Sequence, residues 1–252
     1  MSPARDHRVL VPVDVLEGQS VPSTVVEAFA SIPVVLLGYR ELPDQTSPDQ
    51  ARDQYGDRVR AELEELRTVF EDAGCDVTTR LAFTHSRLKT FERVTLEESC
   101  DAVLLLNPAP ILESVLVAIR SDVNVDHIAR LLRTVLDDTD LEVTLLHVAD
   151  EASREAGADL LETAHDALVA EGVDDDRIDS QVVDDGSPTT AILEAADDHD
   201  LLVLGESRPS IRRYVFRDRA ERLAQETVDP VLVIRGEYLE AESATVDDGD
   251  GG

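Results

Sequence analysis

The sequence predicts an α/β protein with parallel strands, built from two units of the same plan. Three observations carry this. Apolar strand-like runs alternate with amphipathic helical stretches along nearly the whole chain. Strand–helix alternation at this spacing implies parallel strands joined by right-handed crossovers. The runs are continuous in their apolar character, which implies strands covered on both faces. The order of elements also repeats, and in each round the longest helix stops at a glycine, Gly74 and Gly172, the expected left-handed terminus.

The first round opens with VLVPVD at 9–14 and continues with a short helical stretch at 22–31 and a strand PVVLL at 33–37. A long helix at 52–73 follows, with Val59, Leu63, Leu66 and Phe70 on one face. A third strand at 76–83, a helix at 86–99 and a fourth strand at 101–106 complete it. The second round repeats the sequence of elements: strands at 115–120, 141–148, 177–183 and 200–205, with helices at 124–138, 151–171 and 187–198. It then adds a loop, a helix near 219–228 and a fifth strand at 230–235. The first round lacks that last helix and strand. The expected organisation is a first domain at 7–110, a complete second domain at 113–236, and a disordered acidic Gly-rich tail at 237–252.

Composition narrows the function classes. There are 54 acids against 23 bases, a formal charge of −31, and a single lysine, Lys89. The acids are spread along the chain, as in the proteome style of salt-in halophiles. Such a surface argues against nucleic-acid binding, which needs a basic face to displace counterions. No apolar run approaches the ~20 residues that cross a bilayer, and the first residues lack a signal-peptide core. The reading is a soluble, cytoplasmic protein without membrane insertion. Cys75 and Cys100 are isolated and read as buried thiols of a reducing compartment.

LVPVD in the first strand, LLHV, GSPTTAILEAA, and DLLVLGE…AERL…DPVLVIR together resemble the universal stress protein family. The resemblance covers nearly the whole chain as a tandem and is strongest in the second half. It implies Rossmann-like, adenine nucleotide alpha hydrolase-like parallel sheets, with strand order 3-2-1-4-5 in the second domain and truncation after the fourth strand in the first. It also implies ligands at the C-terminal ends of the strands. In the family the fifth strand often pairs across a dimer interface, which implies a homodimer through Val231, Leu232, Val233 and Ile234. Related domains occur beside membrane transporters, which makes a transporter an alternative partner.

ATP-binding members carry G-x2-G-x9-G-S/T after the fourth strand, where bare backbone approaches phosphate. This chain reads Gly205-x2-Arg208-x9-Asp218-Arg219, so only the first glycine survives. The family's acidic residue at the end of the first strand, which the resemblance implies holds the adenine, is matched by Asp14 in the first half but by Arg120 in the second. Neither half holds a complete ATP site, and no cofactor is expected. The alternative is an anion or nucleotide crevice made by Arg120, Gly205, Arg208, Arg212 and Arg213, since guanidinium groups grip phosphate or carboxylate bidentately. The bland reading of these arginines is that they neutralise nearby acids or line a subunit contact.

No catalytic set assembles. Gly205-Glu206-Ser207 ends in Pro209 rather than the glycine of a nucleophile elbow. The six histidines lack metal-ligand spacing, and no metal site is expected. His147, inside a strand, reads as a core histidine. The sequence therefore points to a non-enzymatic stress-response or regulatory protein that works by binding and association.

Overall fold

The computed structural model describes residues 7–16, 21–106, 111–137, 139–184, 187–205 and 230–235. Among them nine strands form one sheet. They are β1 (Val9–Asp14), β2 (Val34–Glu41), β3 (Val77–Thr84), β4 (Ala102–Leu105), β5 (Ser114–Ala118), β6 (Glu142–Ala149), β7 (Ile178–Asp184), β8 (Leu201–Gly205) and β9 (Val231–Ile234). The helices are α1 (Ser23–Ala28), α2 (Pro48–Asp72), α3 (Arg87–Glu97), α4 (Val125–Leu136), α5 (Arg154–Ala170) and α6 (Pro188–Ala196). None of the described helices is long and apolar enough to cross a membrane.

The strand order is β3-β2-β1-β4-β9-β8-β5-β6-β7. Within the second half this is the expected 3-2-1-4-5. Every pairing within a half is parallel, while β9 pairs parallel with β8 and antiparallel with β4. The fifth strand is therefore not an edge, and this corrects the expectation placed on Val231, Leu232, Val233 and Ile234. Both flanks of β9 are filled, by Val103–Val233 pairing on one side and Leu204–Val233 pairing on the other. All four side chains are buried, with Val231, Leu232 and Val233 at 0% exposure. The physical reason lies in the missing strand of the first half. β4 ends that half with an unpaired flank, a hazard that sheets cover where they can, and β9 covers it from within the same chain.

Two apolar layers clothe the sheet. One face holds Val9, Val11, Val13, Val115 and Val117 under α1, α2, α4 and α5, and the core continues without a break across both halves. The other holds Leu10, Val35, Leu116 and Leu202 under α3 and α6. The sheet ends on β3 and β7, whose residues are mostly half-buried or exposed.

Local departures from the sequence reading have local causes. α2 begins at Pro48, four residues early, because Ser47 precedes a proline at the first helical position, where its missing N–H costs nothing. β2 runs on through Gly38 to Glu41. Gly38 faces α2, and a Cβ there would meet Leu63 Cδ2 at 3.2 Å, so the glycine serves close helix–strand packing rather than a turn. Gly74 and Gly172 both have positive φ, 106° and 97°, as the helix stops require.

Candidate functional site

Because β9 runs with β8 but against β4, the C-terminal ends of β5, β8 and β9 share one end of the sheet with the N-terminal ends of β1 and β4. The C-terminal end of β1 lies at the other end. The structure therefore separates the candidate residues: Arg120 and Gly205 stand together, and Asp14 lies across the sheet from them. Arg208, Arg212 and Arg213 fall outside the described residues, as do Ser207 and the helix expected at 219–228.

Asp14 closes β1 and is buried, at 8% exposure. Its two carboxylate oxygens each accept from Arg40 Nη1 at 3.4 Å. Arg40 sits near the end of β2, one residue beyond Tyr39, which is the register partner of Asp14. The first-half acid thus faces a cation supplied by the neighbouring strand. Sequence reading missed Arg40 because it ended the strand at residue 37. Continuing the extended pattern through YRE would have placed the arginine beside the acid.

In the second half the register matches Val115 to Leu201 as it matches Val9 to Ala102, which makes Arg120 the counterpart of Asp14. Arg120 follows β5 by two residues and is exposed. Gly205 ends the adjacent strand, β8, where Ala118 pairs with Leu204. A Cβ on Gly205 would lie 2.6 Å from Ile128 Cδ1. At the first residue of the old loop motif, a side chain would have to displace the Ile128 tip that α4 places there. Helix α4 begins after Asn124, whose φ is 71°, a left-handed conformation that asparagine tolerates.

A second group at this end of the sheet went unnoticed in the sequence. Asp101 Oδ2 accepts the Arg8 N–H at 3.1 Å and lies 3.7 Å from His7 Nδ1. The His7 ring meets that of His127 on α4 edge-on, with centroids 5.5 Å apart. Arg235, just past β9, donates its N–H to Asp101 O and its Nη1 to Cys100 O, both at 2.8 Å. Burial alone would raise the Asp101 carboxyl. Hydrogen bonds from His7 and the Arg8 N–H, with both imidazoles nearby, bring it below the usual carboxylate range.

The same device recurs before β8. Asp200 Oδ2 accepts the N–H groups of Glu113 and Ser114 and the Ser114 hydroxyl, each at 2.9 Å. The repeated aspartate of DAVLLL and DLLVLG was the available signal. The histidine pair had none, since His7 and His127 belong to different rounds of the repeat.

Among the described residues no group of three or more His, Cys, Asp or Glu is placed to hold a metal ion. Cys75 and Cys100 are buried free thiols whose burial pushes them up to about 11 and about 12. Several exposed arginines pair with acids one helical turn away, as Arg58 does with Glu62 at 2.9 Å and Arg67 with Glu71 at 2.8 Å. His147 is held by Ile119 O at 2.8 Å through Nδ1.

Comparison with known proteins bears on the fold. The model of the family described as universal stress protein matches residues 112–235. A universal stress protein from Archaeoglobus fulgidus DSM 4304 superposes with a TM-score of 0.60 at 15% identity, covering 92% of this chain and 99% of that one. A functionally unknown protein from Pseudomonas aeruginosa PAO1 gives 0.51 at 16% identity, covering 92% and 93%. At such identities the structural likeness speaks to the fold. No curated protein matches the chain.

Proposed function

We propose a stress-response or regulatory role exercised by binding rather than turnover, because residues 112–235 match the model of the universal stress protein family. Ordinary ATP binding is lost in this reading. The observation that supports it is the fate of the strand-end acid in each half. In the first, Arg40 engages Asp14 through both carboxylate oxygens; in the second, the counterpart is the cation Arg120. An adenine amino group would have to displace a guanidinium at one end of the sheet and would meet one at the other. Isothermal calorimetry of the full chain in molar KCl tests this. ATP is expected to give no binding heat, and a micromolar Kd would refute the proposal.

A second reading is a sensor of a nucleotide or another anion, favoured by the exposed Arg120 beside the end of β8. The sequence adds three more arginines, Arg208, Arg212 and Arg213, shortly after that strand. Direct guanidinium contacts are the only ones that survive molar salt, where the Debye length is about 3 Å. In the same calorimeter, heat with AMP, a cyclic nucleotide or phosphate that disappears in Arg120→Ala supports this reading. Silence across all of them removes it.

A further inference from the structure

Among the described residues the chain leaves the sheet last at the end of β9, and register fixes where that is. Ala118 of β5 pairs with Leu204 of β8, and Leu204 pairs with Val233 of β9. Two residues further on, Arg120 and Arg235 therefore stand level, with the end of β8 between them. Adjacent strands lie about 4.8 Å apart, which separates the two backbones by about 10 Å. Arg235 is fixed at that point, its N–H donating to Asp101 O at 2.8 Å.

Arg120 stands apart from the helical arginines. Those pair with acids one turn away, as Arg58 does with Glu62 and Arg93 with Glu97, both at 2.9 Å. Arg120 is exposed and, among the described residues, has no ion-pair partner. Asp150, past the end of the neighbouring β6, is turned toward the start of α5, where its Oδ1 accepts the Ser153 N–H at 2.9 Å. After Gly205 the sequence places six arginines and two acids between residues 208 and 222. After Arg235 it runs GEYLEAESATVDDGDGG, with six acids and no base. A strongly cationic stretch and a wholly anionic one thus leave neighbouring strands at the same end of the sheet.

We propose that the acidic C-terminal segment, from Glu237 to Glu242, lies across the ends of β9 and β8 and sets its carboxylates against Arg120, as an intramolecular occupant of the anion crevice. The reach suffices. An extended residue spans about 3.3–3.6 Å, so about three residues beyond Arg235 cover the separation. Glu237 and Glu240 bracket that point. A surface carboxylate–guanidinium pair contributes little between separate molecules, but a short tether holds the acids at millimolar effective concentration. In molar salt only direct contacts persist, and bidentate pairing of carboxylate with guanidinium is of that kind. What the segment displaces rests on the sensor reading above: a free phosphate or nucleotide must compete with it for the same guanidinium. The chain thereby restrains its own affinity for small anions.

Two measurements on the full chain in molar KCl test this. The first is the backbone order parameter of residues 237–242 by nuclear magnetic resonance. Wild-type values above about 0.6, the limit of the flexible range, are expected, and Arg120→Ala should drop them below it. Flexible values in the wild type, or values unmoved in the variant, overturn the inference.

The second is calorimetry with phosphate and AMP, comparing the wild type with a chain carrying Glu237→Gln, Glu240→Gln and Glu242→Gln. A segment held with a local dissociation constant of about 0.1 mM, at millimolar effective concentration, weakens a competitor about tenfold. The triple variant should therefore bind either anion about tenfold more tightly. Equal affinity in the two chains overturns the inference. Silence in both removes the sensor reading alone, because the order parameters decide the contact by themselves.

Discussion

His147 on β6 lies so close to Gly157 on α5 that a Cβ on the glycine would stand 2.7 Å from the imidazole Cδ2. In the first half the sizes are exchanged. Register places Gly38 of β2 where β6 has His147, and there Leu63 of α2 fills the space. The ring is pinned by its 2.8 Å bond to Ile119 O, so it has little freedom to yield. Gly157→Ala gains about 1 kcal/mol of helix propensity but overpacks this contact, at a cost of about 1–3 kcal/mol. Net destabilisation is expected in urea denaturation, and His147→Ala should relieve it in the double variant. Independent, additive effects would show that the two positions do not press on each other.

Val233 is expected to answer to the fold rather than to association between copies. It is wholly buried between Val103 and Leu204. A glutamate there introduces an uncompensated charge into the middle of the sheet, with a loss of about 3–5 kcal/mol. Circular dichroism of Val233→Glu should report an unfolded or grossly destabilised chain. A well-folded variant would mean that β9 does not occupy the centre.

Arg40→Ala leaves the Asp14 carboxylate in a site where its side chain is only 12% exposed. Arg40 itself is one-third exposed, so solvent already screens part of the pair. The expected loss is about 1–3 kcal/mol, the cost of removing one charged partner from a buried carboxylate. Asp14→Asn/Arg40→Ala should recover much of it. Chemical denaturation of the three variants measures both quantities.

Asp101 should shape the acid limb of stability. Its carboxyl is lowered from 3.8 in the folded chain, so the unfolded chain binds the proton more readily. The contribution is present above pH 3.8 and is lost as pH falls through the lower folded value. Asp101→Asn should flatten the stability profile below pH 4 and leave its shape above pH 5 unchanged. An unchanged acid limb would remove Asp101 from the account.

The cysteines should be silent in the native state. With Cys75 at about 11 and Cys100 at about 12, little thiolate exists at pH 8. Alkylation by iodoacetamide should be negligible until denaturant is added and should then consume both. Rapid native labelling of either residue would contradict its burial.

Most of the architecture was legible because it rests on periodicity. Strands such as VLVPVD and DLLVLG announce themselves, and Gly74 and Gly172 end their helices as their position predicts. The partner of β9 was not legible. VLVI reads as an apolar strand whether its second flank meets another copy or an earlier part of the same chain; only the vacancy beside β4 decides. The same limit hid the polar clusters. Asp14 could be matched to a family position, but Arg40 reaches it through strand register, and His7 reaches His127 through the antiparallel docking of two halves. Sequence spacing encodes neither.

The position of β9 also bears on how the chain is made. It leaves the ribosome after every other described strand, yet β4 and β8 both wait for it. Until it arrives, two strands keep open flanks and the halves have no ladder between them. The whole sheet therefore cannot close before β9 has emerged, and the step that joins the halves falls to a segment of four residues.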